Sequence, residues 1–287
     1  MSSLPENYQS LPAVEKLELL WQRVGAAPYP ADALPTKPPG GFARRKVFTV
    51  RHNRGSFEHI GDEMPPGRAK LVHAFGAVAV VRLEITDEHP YTGLFATGGR
   101  ALMRTSDASG GAVFTPTHAL KFLIDGRPSV NVFANQAVHH PPQDYDLFSR
   151  HYANALPAPN RPDTKLVAWA FQRTADALGG KRLYAVYLPL HNAAEVRADG
   201  AEEPAPVVPD RIELHPTGEL HLSPTPSPDW RSELGALAPE VTLFDVRLAG
   251  AIDEPAVAVG RLVLERPFVA SRYGDESLFF QHDVGPR

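Results

Sequence analysis

The chain contains no cysteine. Disulfides, thiolate haem ligation, iron–sulfur clusters and cysteine zinc sites are therefore excluded. It also has no run approaching the ~18 apolar residues of a membrane helix, so no membrane span is expected. The opening residues MSSLPENYQSLP lack the basic start and apolar stretch of a secretory signal, and a cytoplasmic location is the expectation. Neither sign of charge dominates. With 29 Lys+Arg against 33 Asp+Glu, there is no basic excess to attract nucleic acid and no acidic tail.

What the chain has in quantity is proline, 29 of 287 residues, about twice the ~5% average. Proline removes an amide donor and breaks helix interiors, which predicts short elements joined by stiff loops. Residues 12–24 place Val14, Leu17, Leu20, Trp21 and Val24 on one helical face. A Pro- and Gly-rich stretch at 27–42 then reads as an arm. Residues 69–85, AKLVHAFGAVAVVRLEI, have no polar face and predict one long strand, bent at Gly76 and buried on both sides. Segments 100–106, 118–125 and 129–138 predict three more strands, with Asp125-Gly126 as a turn between the last two. Strands in such close succession favour antiparallel pairing in a barrel or sandwich.

Further on, 144–154 and 164–178 read as helices, the second with Asp163 as N-cap and Gly179-Gly180 as its stop. Residues 182–190 return to strand, and 197–209, rich in Ala, Glu and Pro, read as an exposed excursion. RIEL (211–214) and ELHL (219–222) flank a Pro-Thr-Gly turn and predict a hairpin. A short helix is expected at Trp230, strands at 241–249 and 257–265, and a final helix over 272–280. Trp21, Trp169 and Trp230 fall on helical faces as packing residues.

Leu71-Val72-His73-Ala74-Phe75-Gly76, Met103-Arg104-Thr105-Ser106, Thr117-His118-Ala119-Leu120-Lys121-Phe122 and Asn135-Gln136-Ala137-Val138 follow one another in an order that resembles the catalase family. HPYTGLF, FLIDGRPSVN and DLFSRHYAN are closer to its small hydroperoxide-processing branch, which includes allene oxide synthases. The resemblance is strongest over residues 45–155 and continues faintly through 182–280. It implies an α+β fold, an eight-stranded antiparallel β-barrel with peripheral helices over residues 45–287, preceded by an N-terminal helix and arm over residues 1–44. It also implies a homo-oligomer, with the arm available to wrap a neighbour.

Carried over by position, the resemblance makes His73 the distal acid–base, with Ser106 orienting its other ring nitrogen. Asn135 would hold the peroxide. Arg104 and Lys70 would meet haem propionates, with lysine at position 70 replacing the family's usual arginine and its bidentate fork. A neutral imidazole can move a proton between peroxide oxygens, and an amide can steady developing charge without titrating. The substrate would be hydrogen peroxide or an organic hydroperoxide, with haem supplying the redox step.

One part of that machinery is missing. Catalase-type iron is held by a tyrosinate, with an arginine one helical turn earlier in the family. No Arg-x-x-x-Tyr occurs here; Tyr273 follows Arg272 directly. The residues therefore leave three readings open. One is a haem protein. Another is a haem-free relative using His73 and Asn135 for non-redox acid–base chemistry on, or binding of, a small apolar acid. A partner-binding scaffold is a third. His139 and His140 stand where the family tends to have phenylalanines; with His73 and His118 they raise a metal site, but their spacing matches no helical ligand pair, so no metal ligand is assigned. Buried Arg104 needs an anionic partner, and a propionate or an acidic side chain would serve equally.

Overall fold

The computed structural model describes residues 3–30, 62–63, 75–107, 116–136, 184–187, 209, 211–217, 230–250 and 254–280. The architecture is mixed α+β, with a curled antiparallel sheet and few helices. The strands are β1 (Gly76–Ile85), β2 (Gly99–Asp107), β3 (Pro116–Ile124), β4 (Arg127–Gln136), β5 (Tyr184–Tyr187), β6 (Arg211–Pro216), β7 (Thr242–Ala249) and β8 (Val257–Val269). Each pairs with its sequence neighbour, and β8 pairs back onto β1, so the sheet closes on itself. Among the described residues the ladders are unequal: β1–β2 joins eight residue pairs, whereas β4–β5 joins two, Asn135↔Ala185 and Gln136↔Tyr184.

Strand alternation divides the apolar residues between two cores. Ala77, Ala79, Val81, Leu83, Ala101, Met103, Leu120, Phe122, Val132, Leu214, Val246 and Leu262 form the interior cluster, which Tyr91 and Phe95 also join. The outer face of β1–β3 carries Val78, Val80, Leu102, Ala119 and Leu123. Helix α1 (Ala13–Gly25) covers that face with Leu17, Leu20 and Val24. Each such side chain, taken fully out of water, contributes about 1.5–3 kcal/mol.

Val14 departs from the expected helical face. It lies at the edge of the buried stripe and is 54% exposed, while Lys16 is buried and its Nζ donates to the Ile124 carbonyl at 2.9 Å. The N-terminus of α1 is held by another element: Ala13 N donates to Asp125 Oδ1 at 2.6 Å, and Gly126 N to Leu11 O at 3.1 Å. Gly126 takes φ 63°, a conformation that glycine reaches without a Cβ penalty. The Asp125-Gly126 turn thus reverses the chain and anchors α1. Glu18 pairs with Arg266 on β8, fixing the middle of the helix.

Of the long strand expected over 69–85, β1 forms Gly76–Ile85, Phe75 lies outside it, and residues 69–74 lie outside the described residues. The Gly76 amide donates to the Asp275 side chain at 2.9 Å, so a carboxylate takes the donor where a ladder would continue. The irregularity in β1 falls later, between Val78 and Val81, where its register against β8 shifts.

The hairpin expected from 211–214 and 219–222 is also not the pairing observed. Both edges of β6 are occupied, by β5 and by β7, because alternating apolar residues suit any antiparallel partner. The final helix is shorter than expected. Three further helices are α2 (Leu94–Thr97), α3 (Trp230–Gly235) and α4 (Arg272–Glu276). The helices expected over 144–154 and 164–178, the 197–209 excursion apart from Pro209, and the bulk of the arm lie outside the described residues.

Candidate functional site

On β2, Ala101 and Met103 join the interior cluster and Leu102 the outer one. Arg104 and Ser106 continue the outer row and are both buried. Arg104 Nη2 donates to Asp275 Oδ1 at 2.8 Å, with the two side chains 4% and 3% exposed. The acidic side chain, one of the two partners that sequence left open, is therefore present. Gly76 is what allows this approach. A Cβ there would stand 2.5 Å from the Thr105 carbonyl and 3.0 Å from the Arg104 guanidinium carbon.

Asp275 is presented by α4, whose start is held by Ser271. The Ser271 hydroxyl donates to the Val24 carbonyl at 2.8 Å, and its backbone carbonyl accepts from the Asp275 amide at 3.0 Å. A second arginine shares this carboxylate's field. Arg231 on α3 is buried, and burial lowers its proton affinity while Asp275 opposes that shift and Arg104 adds to it. Its guanidinium nevertheless remains charged. Burial, reinforced by Asp275, pushes the Tyr29 phenol up to about 12. The centre thus consists of Arg104, Arg231, Asp275 and Tyr29 around the head of β1.

The strand register aligns part of the predicted set. Gly76 pairs with Ser106, Ser106 with Thr117, and Thr117 with Asn135. Ser106 and Asn135 therefore occupy one cross-strand row, two strands apart, headed by Gly76. His73, Lys70, His139 and His140 lie outside the described residues.

His118 faces the barrel interior. Thr105 Oγ1 and His118 Nδ1 are 2.9 Å apart, and the Phe244 ring meets the imidazole edge-on at 5.0 Å between centroids. Burial depresses its pKa to about 3, so the imidazole is neutral at pH 7. Tyr273 is also enclosed. Its hydroxyl donates to Glu63 Oε1 at 2.7 Å, an oxygen that also accepts from Arg23 at 2.5 Å. Burial, then Glu63, raise the Tyr273 phenol far above its ordinary value.

A second polar cluster lies under α1. Lys121 Nζ donates to Asp62 Oδ1 at 2.6 Å, Ser129 Oγ at 2.9 Å and Asn131 Oδ1 at 2.9 Å. Ser129 Oγ donates to Asp62 Oδ1 at 2.5 Å, and Tyr8 OH to Asp62 Oδ2 at 2.7 Å. Burial raises the Asp62 pKa, but the Lys121 charge and the three hydrogen bonds outweigh it and leave the carboxyl below its ordinary range. Sequence reasoning missed Asp62, Glu63, Arg231 and Asp275. Its available signal was a charge inside an apolar strand, as with Lys121 in ALKFLI and Arg104 in ALMRTS, which demands a partner without naming it.

Among the described residues, no group of three His, Asp or Glu side chains is arranged to hold a metal ion, and no helix is long and apolar enough to cross a membrane. No protein-family model matches the chain, and no curated protein matches it.

Proposed function

We propose that the protein is a catalase-like barrel that works without haem, binding a small apolar acid at the outer-face centre around His73, Ser106, Asn135 and Arg104. The observation that carries this reading is the pair of buried arginines, Arg104 and Arg231, gathered at one carboxylate beside Gly76, three residues beyond His73. Guanidinium groups are the side chains best suited to a carboxylate, because their donors match its two oxygens. His73, three residues before Gly76 in the sequence, would supply a proton acceptor of the kind that works near neutral pH.

One described residue does not fit haem. Tyr273 is a protonated phenol committed to Glu63, which does not suit an axial phenolate.

The test is to add hemin to the purified full chain and record its absorption spectrum. A medium-chain carboxylate and its methyl ester would then be titrated by calorimetry. The expected result is no Soret band at one haem per chain, and binding of the acid but not the ester. Arg104→Gln should weaken that binding by about tenfold or more, the loss of one charge-assisted hydrogen bond. Equal affinity for acid and ester would overturn the reading.

A second reading, a haem protein acting on hydrogen peroxide or an organic hydroperoxide, is favoured by the row that aligns Gly76, Ser106 and Asn135. Stoichiometric hemin binding, with peroxide turnover abolished by His73→Ala, would establish it in place of the first.

A further inference from the structure

We infer that Lys121 and Asn131 become joined, after folding, by an amide bond between their side chains, with Asp62 carrying the protons. This inference is independent of the ligand reading above, since it concerns the cluster beneath α1.

Three observations place the reactants. Lys121 and Asn131 are direct register partners on β3 and β4. Their side chains are both buried, with Nζ 2.9 Å from Oδ1, so the amide carbon is one bond beyond a hydrogen-bonded oxygen. Asp62 Oδ1 lies 2.6 Å from the same Nζ. Holding a nucleophile and an electrophile at this separation replaces an encounter with a unimolecular step. The surroundings favour aminolysis over hydrolysis: the Phe280 ring centroid is 5.3 Å from Nζ, and Asp62 is 2% exposed beneath Tyr8.

The chemistry balances with these groups alone. Asp62 accepts one proton from the Lys121 ammonium, and the freed lone pair forms a bond to Cγ of Asn131. The tetrahedral carbon then expels Nδ2 as Cγ–Nδ2 breaks. Two protons pass in all from Nζ to that nitrogen through Asp62, and it leaves as ammonium. The product is a secondary amide, and Asp62 is again a carboxylate. No oxidant, reductant or co-reactant enters.

The first proton transfer is the uphill step, because Lys121, Ser129 and Tyr8 together favour the ionised carboxylate. The reaction is accordingly a slow, single maturation event, and its product ties the two arms of the β3–β4 hairpin across a turn.

The decisive experiment is the intact mass of the purified, folded full chain, followed by chymotryptic mapping. Cleavage after Phe122 or Leu123, between the two residues, turns a cross-link into a branched peptide. The expected mass is lower than the sequence mass by one ammonia, with residues 121 and 131 in one branched species. Asp62→Ala, shown to be folded by circular dichroism, should keep the full sequence mass. Wild-type protein at full sequence mass after prolonged incubation would overturn the inference, whatever the variant does. Loss of one water, with Lys121 joined to Asp62, would also overturn it.

Discussion

Arg104 and Asp275, brought together from β2 and α4, form a buried ion pair through an oxygen that also accepts the Gly76 amide. The pair holds the end of the chain against the start of β1. Removing one member leaves the other charged, buried and deprived of that contact, which costs about 3–5 kcal/mol. Arg104→Leu and Asp275→Leu should each lower unfolding stability by that order. The double variant should lose markedly less than the sum. Urea unfolding of all four proteins measures the coupling.

Gly76→Ala tests the same junction sterically. The new methyl would stand 2.5 Å from a backbone carbonyl that cannot swing aside. Overpacking of this kind costs about 1–3 kcal/mol, and thermal unfolding should show it. Gly25→Ala, where a Cβ would meet nothing within 4 Å, is the control and should be neutral or slightly stabilising.

His118 sets an acid limb. Its folded pKa, about 3, lies below its unfolded value, near 6.5. The unfolded chain therefore binds a proton first. Stability from this group is fully present above about pH 6.5 and is lost as pH falls toward the folded pKa, at up to ~1.4 kcal/mol per pH unit. His118→Gln, which can still hydrogen-bond Thr105 but does not titrate, should flatten stability against pH between about 6 and 4. Chemical denaturation across that range reads the slope. Asp62, whose folded pKa is depressed, adds a separate loss below about pH 4.

An alkaline limb follows from Tyr8 and Tyr273. Burial raises both phenols, and the neighbouring carboxylates Asp62 and Glu63 raise them further. Their contribution is complete below the unfolded pKa near 10 and declines as pH rises above it, because only the unfolded chain then releases the proton. The pair Tyr8→Phe and Tyr273→Phe should lessen the loss of stability above about pH 10, as followed by tyrosinate absorbance together with circular dichroism.

Asp125 caps α1 from another element, accepting from the Ala13 amide. Asp125→Ala should cost about 0.5–2 kcal/mol, the usual range for a lost N-cap, and should raise amide exchange in the first turn of α1. Exchange confined to the β3–β4 turn would contradict the coupling.

The strand content was legible because β1 to β4, β7 and β8 carry dense β-branched and apolar residues broken by turn signals. α1 was legible from its 3.6-residue period. Val14 was misread because periodicity fixes a stripe and not its edge, and the 211–214 strand was given the wrong partner because a period of two does not encode one. At the site, Arg104 and Ser106 were singled out through resemblance, and both are buried. Asp275 was not, since it sits in a short, unremarkable helix and meets Arg104 only once the chain end docks. Asp62 and Glu63 escaped for a similar reason: they fall between the arm and the strand expected from residue 69, in a stretch given no element, while their partners Lys121, Tyr8 and Tyr273 lie on other elements.

The two-pair ladder between β4 and β5 has a kinetic consequence. A closed sheet gives way where the fewest backbone bonds must break together, and among the described residues that ladder has two register pairs, at Asn135 and Gln136. Sub-global opening should start at this seam and leave β1–β2 and β1–β8 intact. In native-state hydrogen exchange the amides of β5 should be replaced well before those of β1. Any molecule that reaches the interior cluster without global unfolding would then enter between β4 and β5.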